Sequence, residues 1–375
     1  MGDAQQKAPE RIGEYRIVRR LGAGGFGAVY EGLHPTLGRR AAIKLLHAEL
    51  SAKPEMAVRF LNEARAANII RHAGIVDVSD IGQLPSGEVF IVMEFLDGTT
   101  LRAHLKKGDG RLPLLSTLQL GQQIAAALAA AHSKGVVHRD LKPDNVMLLN
   151  DPLVPGRLRT KLVDFGIAKL AAEHSAPLQQ KTRTGALMGT PAYMSPEQCR
   201  GAGLVEDKSD VYSLGIILYQ MLVGRRPFES EGEGEILAMH LFTEPRPLLE
   251  VDPTLDRETT ELVHRMLRKD PKERPSMAEV AEALLQLMQT QGHSSSSSAS
   301  AGGLATLTPP QTISSPAGSR RGGQGLLIGG GLLLAVGVAA AVFGGAPMQV
   351  TGPAAALNVF VTTSTALGKR PGTKN

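Results

Sequence analysis

The first part of the chain alternates between strand-like and helix-like hydrophobic patterns. Apolar residues alternate with polar ones into a glycine-rich turn and out again through residues 28–32, which predicts a β-hairpin. Apolar residues at helical spacing follow from Met56 to Ala67, and again from Leu118 to Leu128, where Gly135 is expected to serve as the C-cap. Residues 211–218 are apolar on all sides, which predicts a helix buried at the centre of a lobe.

A different apolar segment lies near the C-terminus. Residues 326–343 carry no charge, and this length is close to the minimum that spans a bilayer. A buried core helix or an interfacial helix is the alternative, but four glycines and the lack of a polar face suit neither. We therefore predict one transmembrane helix over residues 326–346.

The charges beside this segment predict its orientation. Arg320 and Arg321 precede it, and positive residues favour the cytoplasmic side, although Lys369 and Arg370 at the far end argue against this orientation. The sequence thus predicts a single-pass protein of the cell membrane with its N-terminal domain in the cytoplasm. Met1 to Gly13 has no apolar stretch of the kind that a signal peptide requires.

The regions around the predicted helix differ from it in composition. Residues 289–325 are rich in Ser, Gly, Pro and Thr, which predicts a disordered juxtamembrane linker. Residues 1–14 form an N-terminal leader, and residues 347–375 form a tail too short for a folded external domain. Gly325 and Gly329 make a GxxxG spacing, which leaves open whether the chain forms a homodimer.

Charge and cysteine content exclude some classes of function. The formal net charge is +5, but 36 acidic residues offset 41 basic ones, and no nucleic-acid-binding motif accompanies the charge. We therefore expect no nucleic acid partner. Cys199 is the only cysteine, so the chain contains neither an internal disulfide nor a CxxC zinc or redox motif.

The strongest chemical signal is the segment His138–Asn145, which reads HRDLKPDN and is followed by DFG at residues 164–166. Transfer of a phosphoryl group from ATP requires a carboxylate near the attacking hydroxyl and oxygen ligands for Mg²⁺. Asp140 suits the first role, and Asn145 and Asp164 suit the second. An eight-residue match with this spacing is a specific signal.

A glycine-rich turn near the N-terminus supports the same chemistry. Its glycines would let backbone amides approach phosphates, and a β-hairpin context argues against a dinucleotide-binding βαβ unit. The candidate ATP-binding residues in this turn are Leu21, Gly22, Ala23, Gly24, Gly25, Phe26, Gly27, Ala28 and Val29. Lys44 follows on the next predicted strand, and Glu63, on the inward side of the predicted helix, is its expected ion-pair partner, with a surface pair to Arg59 or Arg65 as the alternative.

These motifs together resemble those of the bacterial, eukaryotic-type (Hanks-type) serine/threonine protein kinases. The resemblance implies an α+β fold with a β-rich N-lobe over residues 15–96 and a mainly helical C-lobe over residues 97–288. It implies ATP and Mg²⁺, or alternatively Mn²⁺, as cofactors and protein Ser/Thr hydroxyls as acceptors. It also adds ATP-binding residues: Met93 as gatekeeper, Glu94 and Leu96 in the hinge, and Val29, Ala42 and Met147 around the base.

The resemblance also implies roles in catalysis and regulation. Lys142 would contact the γ-phosphate, as in the serine/threonine class, and Arg139 would meet a phosphate on Thr182 or Thr184. Asp210 would fix the catalytic-loop backbone. A glutamate at position 197 would pair with Arg274.

Two readings remain open from the sequence alone. A membrane-tethered pseudokinase that binds ATP and scaffolds partners is the alternative to an active enzyme, but such proteins are expected to lose Lys44, Asp140 or Asp164, and all three are present. The acidic segment 229–235 is interpreted either as a solvated turn or as a surface that attracts basic substrates.

Overall fold

The computed structural model describes residues 9–165, 191–201 and 205–297. Its first part is an antiparallel sheet of six strands in the order β1-β2-β3-β4-β6-β5, with two helices inserted between β4 and β5. The strands are β1 Arg11–Ile12, β2 Tyr15–Ala23, β3 Gly27–Leu33, β4 Arg40–Leu46, β5 Val78–Gln83 and β6 Val89–Glu94, and the helices are α1 Ala48–Ser51 and α2 Pro54–Ile70. The predicted hairpin is confirmed as β2 and β3.

Strand alternation gives this sheet two apolar faces. One face forms a core with Ile12, Tyr30, Ile43 and Val92 among its buried members, and the other packs with Phe60 of α2. Ile12 is fully buried and Arg11–Ile12 pairs with β2, so the first strand of the sheet lies within residues 1–14, the predicted leader. A two-residue strand is too short to show an alternating pattern, which is why the sequence did not reveal it.

The second part is mainly helical, with a small antiparallel sheet of three strands. The strands are β7 Gly98–Thr100, β8 Val146–Asn150 and β9 Leu158–Leu162. The helices are α3 Leu101–Lys106, α4 Leu114–His132, α5 Pro196–Arg200, α6 Asp207–Val223, α7 Glu233–Phe242, α8 Leu248–Val251, α9 Arg257–Met266 and α10 Met277–Ser297. The two-lobed architecture, with a β-rich first lobe and a helical second lobe, is confirmed.

Helices α4 and α6 lie in the core of the helical lobe. Residues 211–218 of α6 are all buried, which confirms the predicted central helix. After α4, the amide of Gly135 donates to the His132 carbonyl at 2.9 Å and that of Val136 donates to the Ala131 carbonyl at 3.0 Å. Gly135 has φ of 72°, so it closes the helix in a Schellman geometry, in agreement with its predicted role at the C-terminal cap.

Two boundaries bear on the predicted membrane attachment. Helix α10 continues to Ser297, past the predicted start of the linker at residue 289. Within the described ranges, one helix, α4, is long and apolar enough to cross a membrane, and half of it is buried in the lobe, as in a core helix. The predicted transmembrane segment 326–346 and the tail 347–375 lie outside the described residues.

Candidate active site

Asp140 lies in the loop between α4 and β8, where two neighbouring side chains hold its carboxylate. Lys142 Nζ donates to Asp140 Oδ2 at 2.9 Å, and Asn145 Nδ2 donates to the same oxygen at 3.1 Å. Asn145 Nδ2 also donates to the backbone carbonyl of Asp140 at 2.8 Å. The three predicted catalytic residues are therefore in direct contact, with the Asp140 side chain still 18% exposed.

Asp210, in the first turn of α6, holds the backbone of this loop through hydrogen bonds. Its Oδ2 accepts hydrogen bonds from the His138 amide at 2.8 Å and from His132 Nε2 at 2.8 Å, while Oδ1 accepts from the Arg139 amide at 2.9 Å. Burial alone would raise the pKa of Asp210, but the His132 hydrogen bond and the nearby imidazoles bring it below its usual value. The predicted contact between Asp210 and the catalytic-loop backbone is confirmed.

Arg139 has a left-handed backbone, with φ of 66°. This conformation is uncommon for a residue with a side chain and needs support from its surroundings. The two amides bound to Asp210 supply part of that support, and Gln198 Nε2 of α5 donates to the Arg139 carbonyl at 2.7 Å. Gln198 was not identified from the sequence, because its partner is 59 residues away.

Lys44 on β4 is held between two carboxylates. Its Nζ is 2.9 Å from Glu63 Oε1 and 2.8 Å from Asp164 Oδ1. The predicted pair of Lys44 with Glu63 is confirmed, whereas the direct contact with Asp164 was not anticipated. This cation therefore connects β4, helix α2 and the segment that follows β9.

The charges in this network perturb one another strongly. Burial would lower the pKa of Lys44, but Asp164 and Glu63 raise it above its usual value. Burial raises the pKa of Glu63 to about 7, with Lys44 opposing this shift and Asp164 adding to it. Burial would likewise raise the pKa of Asp164, yet Lys44 holds it below its usual range. Lys44 is therefore charged at neutral pH.

The face of the sheet that carries Lys44 also carries most of the predicted adenine contacts. Lys44 is opposite Val29 in the register of β3 and β4, and Ala42 is opposite Met93 in that of β4 and β6. Partners directly opposite in an antiparallel pair share a face, so these four side chains lie together on the inner face. Met147, on β8 of the other lobe, is half-buried.

Ala28 lies on the opposite face of the sheet. Its side chain is 6% exposed and packs in the outer core of the N-lobe with Tyr30 and Ile43. Successive residues of a strand point to opposite faces, so the side chain of Ala28 points away from the inner face, and its predicted contact with ATP concerns the backbone and stays a prediction. Val29, its neighbour, is on the inner face.

The glycines of the glycine-rich turn differ in whether the surrounding structure leaves room for a side chain. A Cβ on Gly27 would lie 2.0 Å from the Leu45 carbonyl oxygen, so close strand pairing already explains this glycine. Gly22 and Gly24 have open space where a Cβ would stand, and packing does not require glycine at either position. Residues 21–25 are exposed and Phe26 is half-buried, and their contact with phosphates remains a prediction.

Glu94 and Leu96 lie in the segment that joins the two lobes. The Glu94 carboxylate accepts a hydrogen bond from the Asp77 amide at 2.8 Å and forms an ion pair with Lys161 of β9. The side chain of Glu94 is thus committed to holding the segment, and its predicted contact with adenine concerns the backbone. Leu96 is half-buried.

A basic residue beside this segment was missed from the sequence. Arg40 lies 3.7 Å from the centre of the Phe95 ring and donates to Glu31 Oε1 at 2.8 Å. Glu31 is 6% exposed and also accepts from Arg19 at 2.8 Å. Burial would raise the pKa of Glu31, but the two guanidinium groups lower it. Only strand register brings these residues together, so no local motif marks them.

Asn145 and Asp164 are the candidate metal ligands, and the backbone brings them close. The Val163 amide, next to Asp164, donates to the Asn145 carbonyl at 3.0 Å. Because both donated bonds of Asn145 use Nδ2, its amide oxygen remains for a cation. No cluster of three or more His, Cys, Asp or Glu side chains suited to a metal occurs within the described ranges. An oxygen donor pair of this kind fits Mg²⁺, which commonly completes its shell with phosphates and water.

The segment 191–201, which contains helix α5, is anchored by a buried ion pair. Arg274 donates to Glu197 Oε1 at 2.7 Å and Oε2 at 2.9 Å, and Ser209 Oγ donates to Oε1 at 2.6 Å. The predicted pair of Glu197 with Arg274 is confirmed. Thr182 and Thr184, the predicted phosphorylation sites opposite Arg139, lie outside the described residues.

Comparison with known proteins agrees with this geometry. Residues 15–285 match the family model of the protein kinase domain. The chain is 42% identical over 302 residues to the serine/threonine-protein kinase Pkn1 of Myxococcus xanthus, which covers 79% of this chain and 41% of that protein. It is 40% identical over 263 residues to the serine/threonine-protein kinase PknA of Mycobacterium tuberculosis (strain H37Rv), which covers 69% of this chain and 57% of that protein.

A solved structure shows the same fold. The crystal structure of the Mycobacterium tuberculosis PknI kinase domain is similar with a TM-score of 0.56 and 28% identity, covering 74% of this chain and 97% of that one. The chain spans about half the length of the two curated relatives. With the kinase model matching most of its length and the cleft built as described, this chain belongs to the protein kinase family.

Proposed function

We propose that this chain is a serine/threonine protein kinase that transfers the γ-phosphoryl group of ATP to hydroxyl groups of proteins. One observation carries the proposal. Lys44 is held between Glu63 and Asp164 on one side of the cleft, and Asp140 is held by Lys142 and Asn145 on the other. The names of the relatives, all serine/threonine-protein kinases, support the choice of acceptor.

The residues around Asp140 suit the proton transfer that the reaction requires. A substrate hydroxyl must lose its proton as its oxygen attacks the phosphorus, and the Asp140 carboxylate is the group in the loop that can accept it. Lys142 is 2.9 Å from Asp140, so its ammonium would stabilise both this carboxylate and negative charge on the transferred group. Asn145 orients Asp140 through two hydrogen bonds.

Lys44 suits a role in positioning the nucleotide. Its charge is fixed by two adjacent carboxylates, so little reorganisation would be needed when phosphates approach. Asn145 and Asp164 would hold Mg²⁺, which neutralises phosphate charge when bound. Val29, Ala42 and Met93 offer an apolar surface for the adenine ring on the inner face of the sheet.

We further propose that residues 326–346 attach the chain to the cell membrane with the kinase domain in the cytoplasm. The uncharged segment and the preceding Arg320 and Arg321 support this arrangement. Phosphorylation of Thr182 or Thr184 would regulate the enzyme by pairing with Arg139, and homodimers would favour phosphorylation between copies.

Phosphosite mapping tests the activity. The chain, expressed without other kinases and incubated with Mg-ATP, is expected to gain phosphate on serine and threonine, with a site among residues 166–190. Asp140→Asn is expected to lose this incorporation. Equal incorporation in the two proteins would exclude Asp140 as the base, and none in either would favour a pseudokinase.

Membrane fractionation tests the attachment. The full chain is expected in the membrane fraction after an alkaline carbonate wash, and a chain lacking residues 326–346 is expected in the soluble fraction. Recovery of both chains in the soluble fraction would refute the attachment.

A further inference from the structure

Helix α7, which spans Glu233–Phe242, has one buried face and one exposed stripe. Ile236 and His240 are buried on the side that faces the lobe. Glu235, Ala238 and Phe242 are all exposed, and their spacing of three and then four residues places them in one stripe along the helix. Phe242 is 80% exposed, so most of its ring is available for contact with another molecule.

The exposure of Phe242 does not come from a frayed helix end. The His240 ring is 5.8 Å from that of Tyr212 and 5.1 Å from that of Phe228, both at steep angles. Lys269 Nζ donates to the backbone carbonyls of Met239 at 3.2 Å and His240 at 2.9 Å, so a cation holds the last turn. The helix thus presents the phenyl ring to solvent from a fixed position.

The segment that leads into α7 is strongly acidic. Residues 229–235 contain four glutamates, and Glu229 pairs with Arg226 at 3.3 Å while Glu235 bonds to Ser230. Glu231 and Glu233 are exposed and take part in no ion pair with the residues that the structure describes. An apolar ring at one end and surplus negative charge at the other are complementary to a segment that is both basic and apolar.

Helix α7 is also connected to the catalytic loop. It contacts the turn Pro191–Tyr193 and helix α5. Gln198 of α5 donates to the carbonyl of Arg139, the residue before Asp140. A protein whose hydroxyl reached Asp140 would therefore have α7 within reach of its own surface, whereas a short peptide would not need to extend so far.

We propose that the stripe Glu235, Ala238 and Phe242, with the acidic segment 229–235, docks a Lys/Arg-rich segment of a protein substrate. An apolar side chain of that segment packs on Phe242, and its cations lie along the glutamates. The inference rests on the proposed kinase function and adds the class of substrate to it. Of the two interpretations of segment 229–235, a solvated turn and a surface that attracts basic substrates, it favours the second.

Binding of a basic protein in the absence of ATP tests the proposal. The full chain in detergent is titrated against fluorescently labelled myelin basic protein, and anisotropy gives the Kd. We expect Phe242→Ala, and separately the double variant Glu231→Lys/Glu233→Lys, to raise the Kd at least about fivefold. Binding to the parent is also expected to weaken as NaCl increases.

Matched controls separate docking from general surface effects. Leu153→Ala removes an apolar side chain that is 89% exposed on another element, and Glu282→Lys reverses an exposed charge on α10. Both controls are expected to keep the Kd of the parent. Casein is an acidic protein with Ser and Thr acceptors, and its Kd is expected to be no higher for the double variant Glu231→Lys/Glu233→Lys than for the parent.

Three results would overturn the proposal. The first is a Kd that is the same in the parent, the variants and the controls. The second is a Kd that rises equally in the variants and the controls. The third is a self-association, seen by analytical ultracentrifugation, that Phe242→Ala abolishes while the Kd is unchanged, since a second copy would then be the occupant. Because binding is measured without ATP, a chain that fails to transfer phosphate refutes the proposed function and still gives a readable Kd.

Discussion

Replacing Asp210 by Asn tests whether this buried carboxylate sets the geometry of the catalytic loop. Asp210 is 1% exposed and accepts three hydrogen bonds, from His132, His138 and Arg139. Asn has almost the same shape but offers one oxygen and one NH₂ group. At least one buried N–H would then face another donor.

The cost follows from the hydrogen bonds that change. A buried donor left without an acceptor costs about 1–3 kcal/mol, and each remaining bond loses about 1 kcal/mol when its acceptor is no longer charged. With one orphaned donor and two weakened bonds, we therefore expect Asp210→Asn to lower the free energy of unfolding by about 3–5 kcal/mol. Since Arg139 keeps its left-handed backbone partly through Asp210, we also expect kcat to fall by about tenfold or more.

Urea unfolding followed by circular dichroism at 222 nm measures the first effect, because the chain has no tryptophan. Asp256→Asn is the matched control, since Asp256 caps α9 through the Thr259 amide at 2.8 Å and Asn caps a helix equally well. Its free energy of unfolding is expected to change by less than about 0.5 kcal/mol. A change as small in Asp210→Asn, with unchanged kcat, would refute the reasoning.

Further predictions concern the ion pairs and the glycine-rich turn. The raised pKa of Glu63 means that the folded protein holds a proton between pH 4.5 and about 7 that the unfolded protein releases, so this group favours folding less as pH rises. The Tm of Glu63→Gln minus that of the parent should therefore increase as the pH is raised from 5.5 to 8. A difference in Tm that stays constant over this range would contradict this. Arg274→Met should lower the free energy of unfolding by about 3–5 kcal/mol by leaving Glu197 buried without its partner, and a double-mutant cycle that shows no coupling would contradict it. Gly27→Ala should lower the Tm because its Cβ would meet a carbonyl of β4, whereas Gly22→Ala has room and should not, and equal Tm values would sink this distinction.

Contacts that depend on residue type within a spaced motif could be predicted from the sequence. Lys44 with Glu63, Glu197 with Arg274, and Asp210 with the catalytic loop all form as expected. In each case a buried charge demands a partner, and the motif restricts which residue supplies it. The central helix α6 could also be predicted from the sequence, since residues 211–218 are apolar on all sides.

Contacts that depend on strand register could not be predicted in the same way. Glu31 meets Arg19 and Arg40 only because β2, β3 and β4 pair as they do, and no spacing along the chain announces it. Ala28 is a different case, because the alternation of β3 already separates its side chain from that of Val29, and its predicted contact with ATP concerns the backbone. The gatekeeper position Met93 was placed by resemblance, and the register with Ala42 now gives it a neighbour.

The rate of phosphoryl transfer to a protein substrate in Asp140→Asn and Asp144→Asn tests the central claim most directly. Both aspartates lie in the same loop, but Asp140 contacts Lys142 and Asn145, whereas Asp144 lies 3.4 Å from Arg102 in a half-exposed pair. Radiolabelled ATP in a single-turnover assay is expected to show transfer reduced at least about a hundredfold in Asp140→Asn, within the range of general base catalysis, and nearly unchanged in Asp144→Asn. Equal rates in the two variants, or transfer in Asp140→Asn at the rate of the parent, would contradict the assignment of Asp140 as the catalytic base.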